Sequence, residues 1–268
     1  MLLAALVGGQ WQVEAQTARQ MVLPNSADSL SEMHVFLPEQ PTGKAIVMCP
    51  GGGYSHLAFR HEGLWWTSWF NAQGMACIVV KYRLPEGNPE LPVGDVERAI
   101  VTVRDSAASW HVNPHDVGIM GFSAGGHLAA TVSTIAPPES RPDYSVLVYP
   151  VISMDPTKGH RGSSEHLLGD KLQDADTVLR YSPAQQISRE TTPPTLLMLS
   201  SDDRTVPPVT NAVEYYSQLQ LKGCDCAMHI YPTGGHGWGF KEKFRFHESM
   251  LGNLKVWLEA HPAKTPIE

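Results

Sequence analysis

The segment Gly121-Phe122-Ser123-Ala124-Gly125 constrains the fold of this chain more than any other. It has the pattern G-x-S-x-G and follows an apolar run at residues 117–120. Small, helix-compatible residues come next, from 126 to 135. Apolar strand, tight turn and helix in this order place a serine on a strained turn with its hydroxyl exposed, and glycines flank it because larger side chains would collide with nearby backbone. The pattern predicts an α/β fold with Ser123 at the end of a buried strand.

An acid and a histidine follow this serine along the chain. A serine hydroxyl becomes a good nucleophile when a base takes its proton and a third group orients that base. Asp203 begins a D-x-x-V-P segment in the loop after the apolar run 196–200, and His236 lies among glycines after another apolar run. Taken singly, they also suit a solvated loop acid and a turn histidine. Their order favours a catalytic triad of Ser123, Asp203 and His236, with Asp202 as the alternative acid.

A glycine-rich loop supplies candidates for an oxyanion hole, in which backbone N–H groups stabilise the charge of a tetrahedral intermediate. Residues 45–49 form an apolar run that predicts a strand, and Pro50-Gly51-Gly52-Gly53-Tyr54 follows it. The expected donors are the amides of Gly52, Gly53 and Ala124. The alternatives are a flexible glycine turn or a phosphate cradle, but the loop lacks the lysine of a P-loop.

Together these motifs resemble those of bacterial α/β-hydrolase esterases related to acetyl xylan esterases. The resemblance covers most of the chain, from about residue 33 to 258, and is carried by residues 49–54, 57–58, 62–63, 82–85, 121–130, 149–151, 182–183, 203–207 and 234–238. Pro50 stands where relatives of hormone-sensitive lipase have histidine, which indicates a P-G-G-G-Y branch. The resemblance implies an α/β-hydrolase fold: a central, mostly parallel sheet covered by helices on both faces, with a small cap insertion.

The resemblance also implies an activity, the hydrolysis of short-chain esters, above all acetyl esters on plant polysaccharides such as acetylated xylan or on xylo-oligosaccharides. The alternatives are a generic short-chain carboxylesterase or lipase and a feruloyl-type esterase. A peptidase of the prolyl-oligopeptidase type and a ligand-binding protein of the same fold are disfavoured, the first because this chain has no room for the accessory domain and the second because every triad member is present. No cofactor is expected.

Two aromatic residues next to these motifs are candidate substrate contacts. Tyr54 follows the glycines of the predicted oxyanion loop, and Trp238 lies two residues after His236. An aromatic face suits the C–H surface of a sugar ring. Packing under a loop explains either residue equally well, so both interpretations stay open.

Composition limits the class of protein. The 268 residues are 42% hydrophobic and 18% charged, which is typical of a globular protein and compatible with one catalytic domain, predicted here at residues 21–263. A net charge of −7 argues against a nucleic-acid partner and favours neutral small-molecule or carbohydrate esters. The chain has twelve histidines but neither an H-E-x-x-H nor a C-x-x-C motif, so no metal is expected.

The arrangement of apolar segments predicts a parallel α/β sheet. Strands are expected at 33–37 (an antiparallel edge), 45–49, 75–82, 145–149, 195–200 and 227–231. Helices are expected at 95–110, 211–221 and 248–260, the last with Leu251, Leu254, Val256 and Trp257 facing the core. An insertion at about 152–192 is expected to form a small cap over Ser123, suited to short acyl groups.

The first fifteen residues predict an export signal. They contain a short apolar run, and Val13-Glu14-Ala15 offers small residues before a cleavage site, although no basic residue precedes the run. The expected location is therefore periplasmic or secreted if residues 1–15 are a signal peptide, and cytoplasmic otherwise. No segment is expected to span a membrane.

Overall fold

The computed structural model describes residues 19–261, which are built around an eight-stranded sheet. The predicted signal peptide lies outside the described residues. The strands are β1 (Arg19–Pro24), β2 (Glu32–Leu37), β3 (Ala45–Cys49), β4 (Ala76–Lys81), β5 (Val117–Phe122), β6 (Ser145–Val148), β7 (Thr195–Ser200) and β8 (Cys226–Tyr231). Their order in the sheet is β1-β2-β4-β3-β5-β6-β7-β8. Strands β4 to β8 and β3 run parallel, while β2 is antiparallel to both β1 and β4.

The central strands form because their sequences are continuous apolar runs, which is typical of parallel strands covered on both faces. Every residue of β3, β5, β6 and β7 is buried. The strands predicted at 45–49 and 195–200 have those bounds in the structure. The predicted fold class, a mostly parallel sheet with helices packed on it, is confirmed.

The predicted position of the sheet edge is wrong by one strand. Residues 33–37 were expected at the edge, but β1 pairs with β2 on that side, and β1 itself is the edge strand. Met33, Val35 and Leu37 are buried while the residues between them are half-buried. Such alternation shows that one face is covered. It carries no information about whether another strand pairs alongside.

Eight α-helices lie among the described residues. They are α1 (Thr67–Ala72), α2 (Glu90–Asp105), α3 (Ala107–Trp110), α4 (Ala124–Ile135), α5 (Arg161–Leu168), α6 (Ala175–Arg180), α7 (Glu214–Leu221) and α8 (His247–Ala260). The segment predicted as one helix at 95–110 forms two helices, α2 and α3, which are separated by Ser106. The first of them begins before the predicted start, at Glu90. Its predicted apolar face, with Val96, Ala99, Ile100 and Val103, is buried. None of the helices between residues 19 and 261 is long and apolar enough to cross a membrane.

One residue of α8 faces the opposite way from the prediction. Leu254 and Trp257 are buried as expected, but Val256 is 66% exposed. A helix advances about 100° per residue, so Val256 lies about 200° around the axis from Leu254. The inward face is completed by Met250 and Leu258 instead.

The segment between β6 and β7 contains the predicted cap insertion, 152–192. It holds α5, α6 and two short 3₁₀ helices at Gly169–Gln173 and Pro183–Gln185. Nδ1 of His166, on α5, lies 2.9 Å from the carbonyl oxygen of Gly53 and donates to it. The insertion therefore contacts the glycine-rich loop that follows β3.

The parallel strands bring the predicted functional segments to one edge of the sheet. The glycine-rich loop follows β3, Ser123 follows β5, Asp203 follows β7 and His236 follows β8. Parallel strands end at the same edge, which is where ligands bind in open α/β sheets.

Candidate active site

Ser123 stands on a tight turn between β5 and α4. Its backbone has φ 53° and ψ −118°, a conformation that a non-glycine residue rarely adopts. A Cβ atom at Gly121 would lie 2.1 Å from the carbonyl oxygen of Gly125, and one at Gly125 would lie 2.1 Å from the carbonyl oxygen of Cys49. The two glycines of the G-x-S-x-G pattern are therefore required by close backbone contacts on both sides of the turn.

Ser123, His236 and Asp203 form a continuous hydrogen-bonded chain. Nε2 of His236 lies 2.8 Å from Oγ of Ser123, and Nδ1 lies 2.6 Å from Oδ2 of Asp203. The other oxygen of Asp203, Oδ1, accepts hydrogen bonds of 2.9 Å from the amides of Thr205 and Val206. A carboxylate acceptor keeps the ring proton on Nδ1, which leaves Nε2 free to accept the serine proton.

The neighbouring Asp202 makes a different contact. Its Oδ1 accepts a hydrogen bond of 2.8 Å from the amide of Gly235, the residue before His236. Of the two aspartates that the sequence left open, Asp203 contacts the imidazole and Asp202 fixes the backbone of its loop.

The loop after β3 faces the turn that carries Ser123. Gly52 and Gly53 have φ of 126° and 64°, in the region that favours glycine. Gly51 is so close to the turn that a Cβ there would lie 2.9 Å from Cβ of Ser123. No described residue accepts a hydrogen bond from the amides of Gly52 and Gly53. Ala124 is the first residue of α4, where an amide has no acceptor within the helix.

Among the described residues, these three amides therefore have no hydrogen-bond acceptor. An oxyanion hole needs such free donors. Their role, like that of the triad, stays a prediction.

Of the two interpretations that the sequence left open for Tyr54, a substrate contact or packing under the loop, its burial favours packing. Its side chain is only 2% exposed, and its hydroxyl lies 2.8 Å from Nδ1 of His127. Nε2 of His127 donates a 2.7 Å hydrogen bond to the carbonyl oxygen of Tyr181, so Nδ1 is the acceptor for Tyr54. Burial lowers the pKa of His127 to about 4, which keeps the ring neutral. Tyr54 therefore packs beneath the glycine-rich loop.

Of the two interpretations left open for Trp238, stacking on a sugar ring or anchoring its loop, the contacts of the indole favour anchoring. Its side chain is buried, Nε1 donates to Oγ of Ser200 at 3.0 Å, and the indole stacks on Phe244 with centroids 4.4 Å apart. Tyr149 packs edge-on against it at 4.7 Å. The indole is buried among these protein side chains, so Trp238 anchors the loop that carries His236.

Glu62 and Tyr149 lie next to the triad, and the sequence predicted no role for either. Oε2 of the buried Glu62 accepts from the amide of Gly51 at 2.9 Å, and Oε1 accepts from the hydroxyl of Tyr149 at 2.8 Å. The hydroxyl of Tyr149 in turn accepts from the amide of Gly239 at 2.9 Å, and its ring lies 4.7 Å from that of His236. Burial raises the pKa of Glu62. Both residues fall in segments that carry the family resemblance, but nothing in their local sequence predicts this contact.

His160 is a third residue near the site for which the sequence predicted no role. It precedes α5, and its Nδ1 accepts a 3.1 Å hydrogen bond from the amide of Ser163, which caps the helix. Its ring lies beside Gly53, with Cε1 3.7 Å from the position of a Cβ on that glycine. Burial, and then the charges of His236 and His166, lower the pKa of His160. The insertion thus places a neutral imidazole at the rim of the site.

No cluster that could hold a metal ion is present between residues 19 and 261: no three His, Cys, Asp or Glu side chains group together there.

Comparison with known proteins gives three informative matches. A family profile described as "alpha/beta hydrolase fold" matches residues 46–240. An acetylxylan esterase of Xylanibacter ruminicola is 48% identical over 252 residues, which are 94% of this chain and 52% of that protein. The crystal structure of an acetyl ester-xyloside bifunctional hydrolase from Caldicellulosiruptor lactoaceticus superposes with a TM-score of 0.83 at 30% identity and covers 92% of this chain and 98% of that one.

A further relative is itself a xylan-degrading enzyme by name. Endo-1,4-beta-xylanase B of Butyrivibrio fibrisolvens is 29% identical over 207 residues, 72% of this chain and 32% of that protein. The chain therefore spans about half the length of the first of these curated relatives and a third of the second.

Proposed function

The chain belongs to the α/β-hydrolase family, and on that premise we propose that it is a serine esterase that removes acetyl groups from acetylated xylan or xylo-oligosaccharides. The observation that carries the proposal is the hydrogen-bonded chain from Ser123 through His236 to Asp203 on the turn after β5. A serine that touches a histidine, which in turn touches a buried carboxylate, is the recognised geometry of an activated acyl-transfer nucleophile.

The proposed reaction proceeds in two halves. Oγ of Ser123 attacks the ester carbonyl carbon as its proton passes to Nε2 of His236, and the charge on the former carbonyl oxygen is held by the amides of Gly52, Gly53 and Ala124. His236 returns the proton to the departing sugar oxygen, which leaves an acetyl-serine and a free sugar hydroxyl.

Water completes the cycle. It gives a proton to His236 while its oxygen attacks the acetyl-serine, and the collapse of this second intermediate returns that proton to Ser123 and releases acetic acid, which ionises to acetate. Throughout, Asp203 fixes the ring through Nδ1 and stabilises the imidazolium form. The residues in these roles need neither a redox cofactor nor a second substrate besides water.

The substrate class rests on the relatives rather than on the triad. An acetylxylan esterase at 48% identity and a structural neighbour named as an acetyl ester and xyloside hydrolase support acetylated xylose units. The chain spans half of the first relative, and we propose for this chain the acetylxylan esterase activity by which that longer protein is named. The neutral His160 at the rim of the site is compatible with a neutral sugar ester.

The decisive experiment is acetate release from acetylated xylan and xylo-oligosaccharides, measured beside hydrolysis of p-nitrophenyl acetate and butyrate. Ser123→Ala is the blank and should lower kcat by about 10⁴-fold or more while the protein remains folded. Release from the carbohydrate supports the proposal in full. Turnover of the nitrophenyl esters alone would leave a serine esterase of another substrate class, and wild-type rates in Ser123→Ala would refute the mechanism.

A polymeric substrate also bears on location. Xylan is too large to enter a cell intact, so an enzyme that deacetylates the polymer has to meet it outside the cytoplasm. We propose export through the predicted signal at residues 1–15. Recovery of the unprocessed chain from the cytoplasm of the native host would contradict it.

A further inference from the structure

Glu62 is the buried carboxyl group nearest to the proposed machinery that the mechanism does not use. It is 3% exposed, and burial alone disfavours its charged form. Two protein donors compensate, the amide of Gly51 on Oε2 and the hydroxyl of Tyr149 on Oε1. A buried carboxylate with both oxygens occupied is costly to keep in a fold, so its partners indicate what it does.

The first partner belongs to the loop with the proposed oxyanion donors. Gly51 directly precedes Gly52, and a Cβ at Gly51 would lie 2.6 Å from the carboxylate of Glu62 and 2.9 Å from Cβ of Ser123. The carboxylate thus holds the loop at a residue that lies close to the nucleophile turn. A shift of Gly51 would move the amides of Gly52 and Gly53 relative to Ser123.

The second partner extends the network to the loop of the histidine. The hydroxyl of Tyr149 donates to Glu62 and accepts from the amide of Gly239, three residues after His236. The ring of Tyr149 also packs on the imidazole, with centroids 4.7 Å apart. One carboxylate therefore connects, through one tyrosine, two loops that follow different strands and carry different parts of the site.

We propose that Glu62 is a positioning residue, which acts with Tyr149 to hold the oxyanion loop and the histidine loop in register around Ser123. The proposal rests on the esterase function proposed above, since it concerns the same site. Glu62 forms its hydrogen bonds with Gly51 and Tyr149, and Tyr149 contacts the proposed catalytic groups through the packing of its ring on His236. Their effect is on the geometry of the groups that touch the reacting atoms, and displacements of about 1 Å in such groups can cost about 100-fold in rate.

Two single variants and their combination test the coupling. Glu62→Gln keeps the shape but offers one acceptor to two donors, and Tyr149→Phe removes the hydroxyl that links the loops. Each should lower kcat for p-nitrophenyl acetate about 10- to 100-fold, with KM within about 2-fold of the parent. The double variant should lose no more than the worse single variant, because both break one network.

Asp116→Asn is the matched control. Asp116 is also buried, with a pKa raised by burial, and accepts a hydrogen bond of 2.8 Å from Lys44, but it precedes β5 and so lies at the opposite edge of the sheet. Its amide variant should lower the melting temperature and keep kcat within about 2-fold of the parent. If Asp116→Asn lost as much kcat as Glu62→Gln, the loss in Glu62→Gln would be explained by lower stability and not by positioning.

A second readout separates this inference from the proposed function. The rate at which a fluorophosphonate labels Ser123 depends on the geometry of the site and requires no ester substrate. It should fall about 10-fold or more in Glu62→Gln. A labelled parent with an unchanged rate in Glu62→Gln, or losses that multiply in the double variant, would overturn the positioning role alone. A parent that is not labelled at all would overturn the positioning role together with the esterase proposal.

Discussion

At the scale of single residues, the two adjacent aspartates after β7 divide two tasks. Oδ2 of Asp203 accepts a hydrogen bond from His236, and Oδ1 accepts hydrogen bonds from two backbone amides. Together these contacts orient the carboxylate toward the imidazole. Asp202 accepts a hydrogen bond from the amide of Gly235 and thereby holds the backbone of the loop that carries His236. The two side chains also differ in their surroundings, since Asp202 is exposed and Asp203 is buried.

This division predicts unequal losses in a pair of conservative variants. Asp203→Asn should lower kcat by about 10⁴-fold, because an amide in place of the carboxylate can hold the ring in the wrong tautomer. Asp202→Asn keeps an oxygen acceptor for Gly235 and should change kcat by less than about 10-fold. Steady-state kinetics with p-nitrophenyl acetate compares them, and melting temperatures show that both variants are folded. A larger loss in Asp202→Asn would exchange the two assignments.

Residues with a fixed spacing in a motif could be predicted from the sequence, whereas residues defined by contacts between distant segments could not. Ser123 and its glycines fall within five positions, and the order of acid and histidine is set by the topology. Glu62 and Tyr149 are 87 positions apart in the sequence. They meet because the loops that carry them follow strands that end at the same edge of the sheet. For Tyr54 and Trp238 the sequence left both a substrate contact and packing open, since position near a motif does not reveal burial.

At the scale of elements, periodicity located most strands and helices but was less accurate about what each one packs against. Continuous apolar runs identified β3 and β7 with their observed bounds. The edge strand β1 was missed because its exposed and half-buried residues alternate weakly over six positions. In α8, an apolar residue at an outward position was assigned to the core.

A matched pair on α8 tests the corrected face of that helix. Leu254 is fully buried and Val256 is 66% exposed, two positions apart. Leu254→Ala should lower the free energy of unfolding by about 2–5 kcal/mol, because it leaves a cavity in the core. Val256→Ala should change it by no more than about 0.5 kcal/mol. Urea denaturation at neutral pH measures both values. Equal losses would show that Val256 does face the core.

At the scale of the whole molecule, the proposed site and a structural ion pair lie at opposite edges of the sheet. The loops at the carboxyl ends of β3, β5, β7 and β8 carry the proposed site, while the Lys44–Asp116 pair lies at the amino ends of β3 and β5. The contacts of the insertion between β6 and β7 with the rest of the protein include two hydrogen bonds. His166 donates to the carbonyl oxygen of Gly53, and the carbonyl oxygen of Tyr181 accepts from His127. The second contact is buried and therefore links the stability of the whole protein to pH.

His127 should make the protein less stable in mild acid. Burial lowers its pKa to about 4 from an ordinary 6.5, so the unfolded chain binds a proton more readily than the folded one. The stabilisation is complete above the unfolded pKa and is lost as pH falls from 6.5 toward 4. Between pH 7 and pH 5 this group alone should remove about 2 kcal/mol from the free energy of unfolding.

The comparison with His127→Gln isolates this effect from the other groups that titrate in the same range. The amide side chain can still donate toward the carbonyl oxygen of Tyr181 and accept from Tyr54, but it carries no titratable proton. Urea denaturation at pH 7 and pH 5 should therefore show a fall in unfolding free energy about 2 kcal/mol smaller in the variant than in the parent. The same fall in both proteins would mean that the folded state admits a charged His127. In that case the buried contact between α4 and the insertion would have to open as the pH falls.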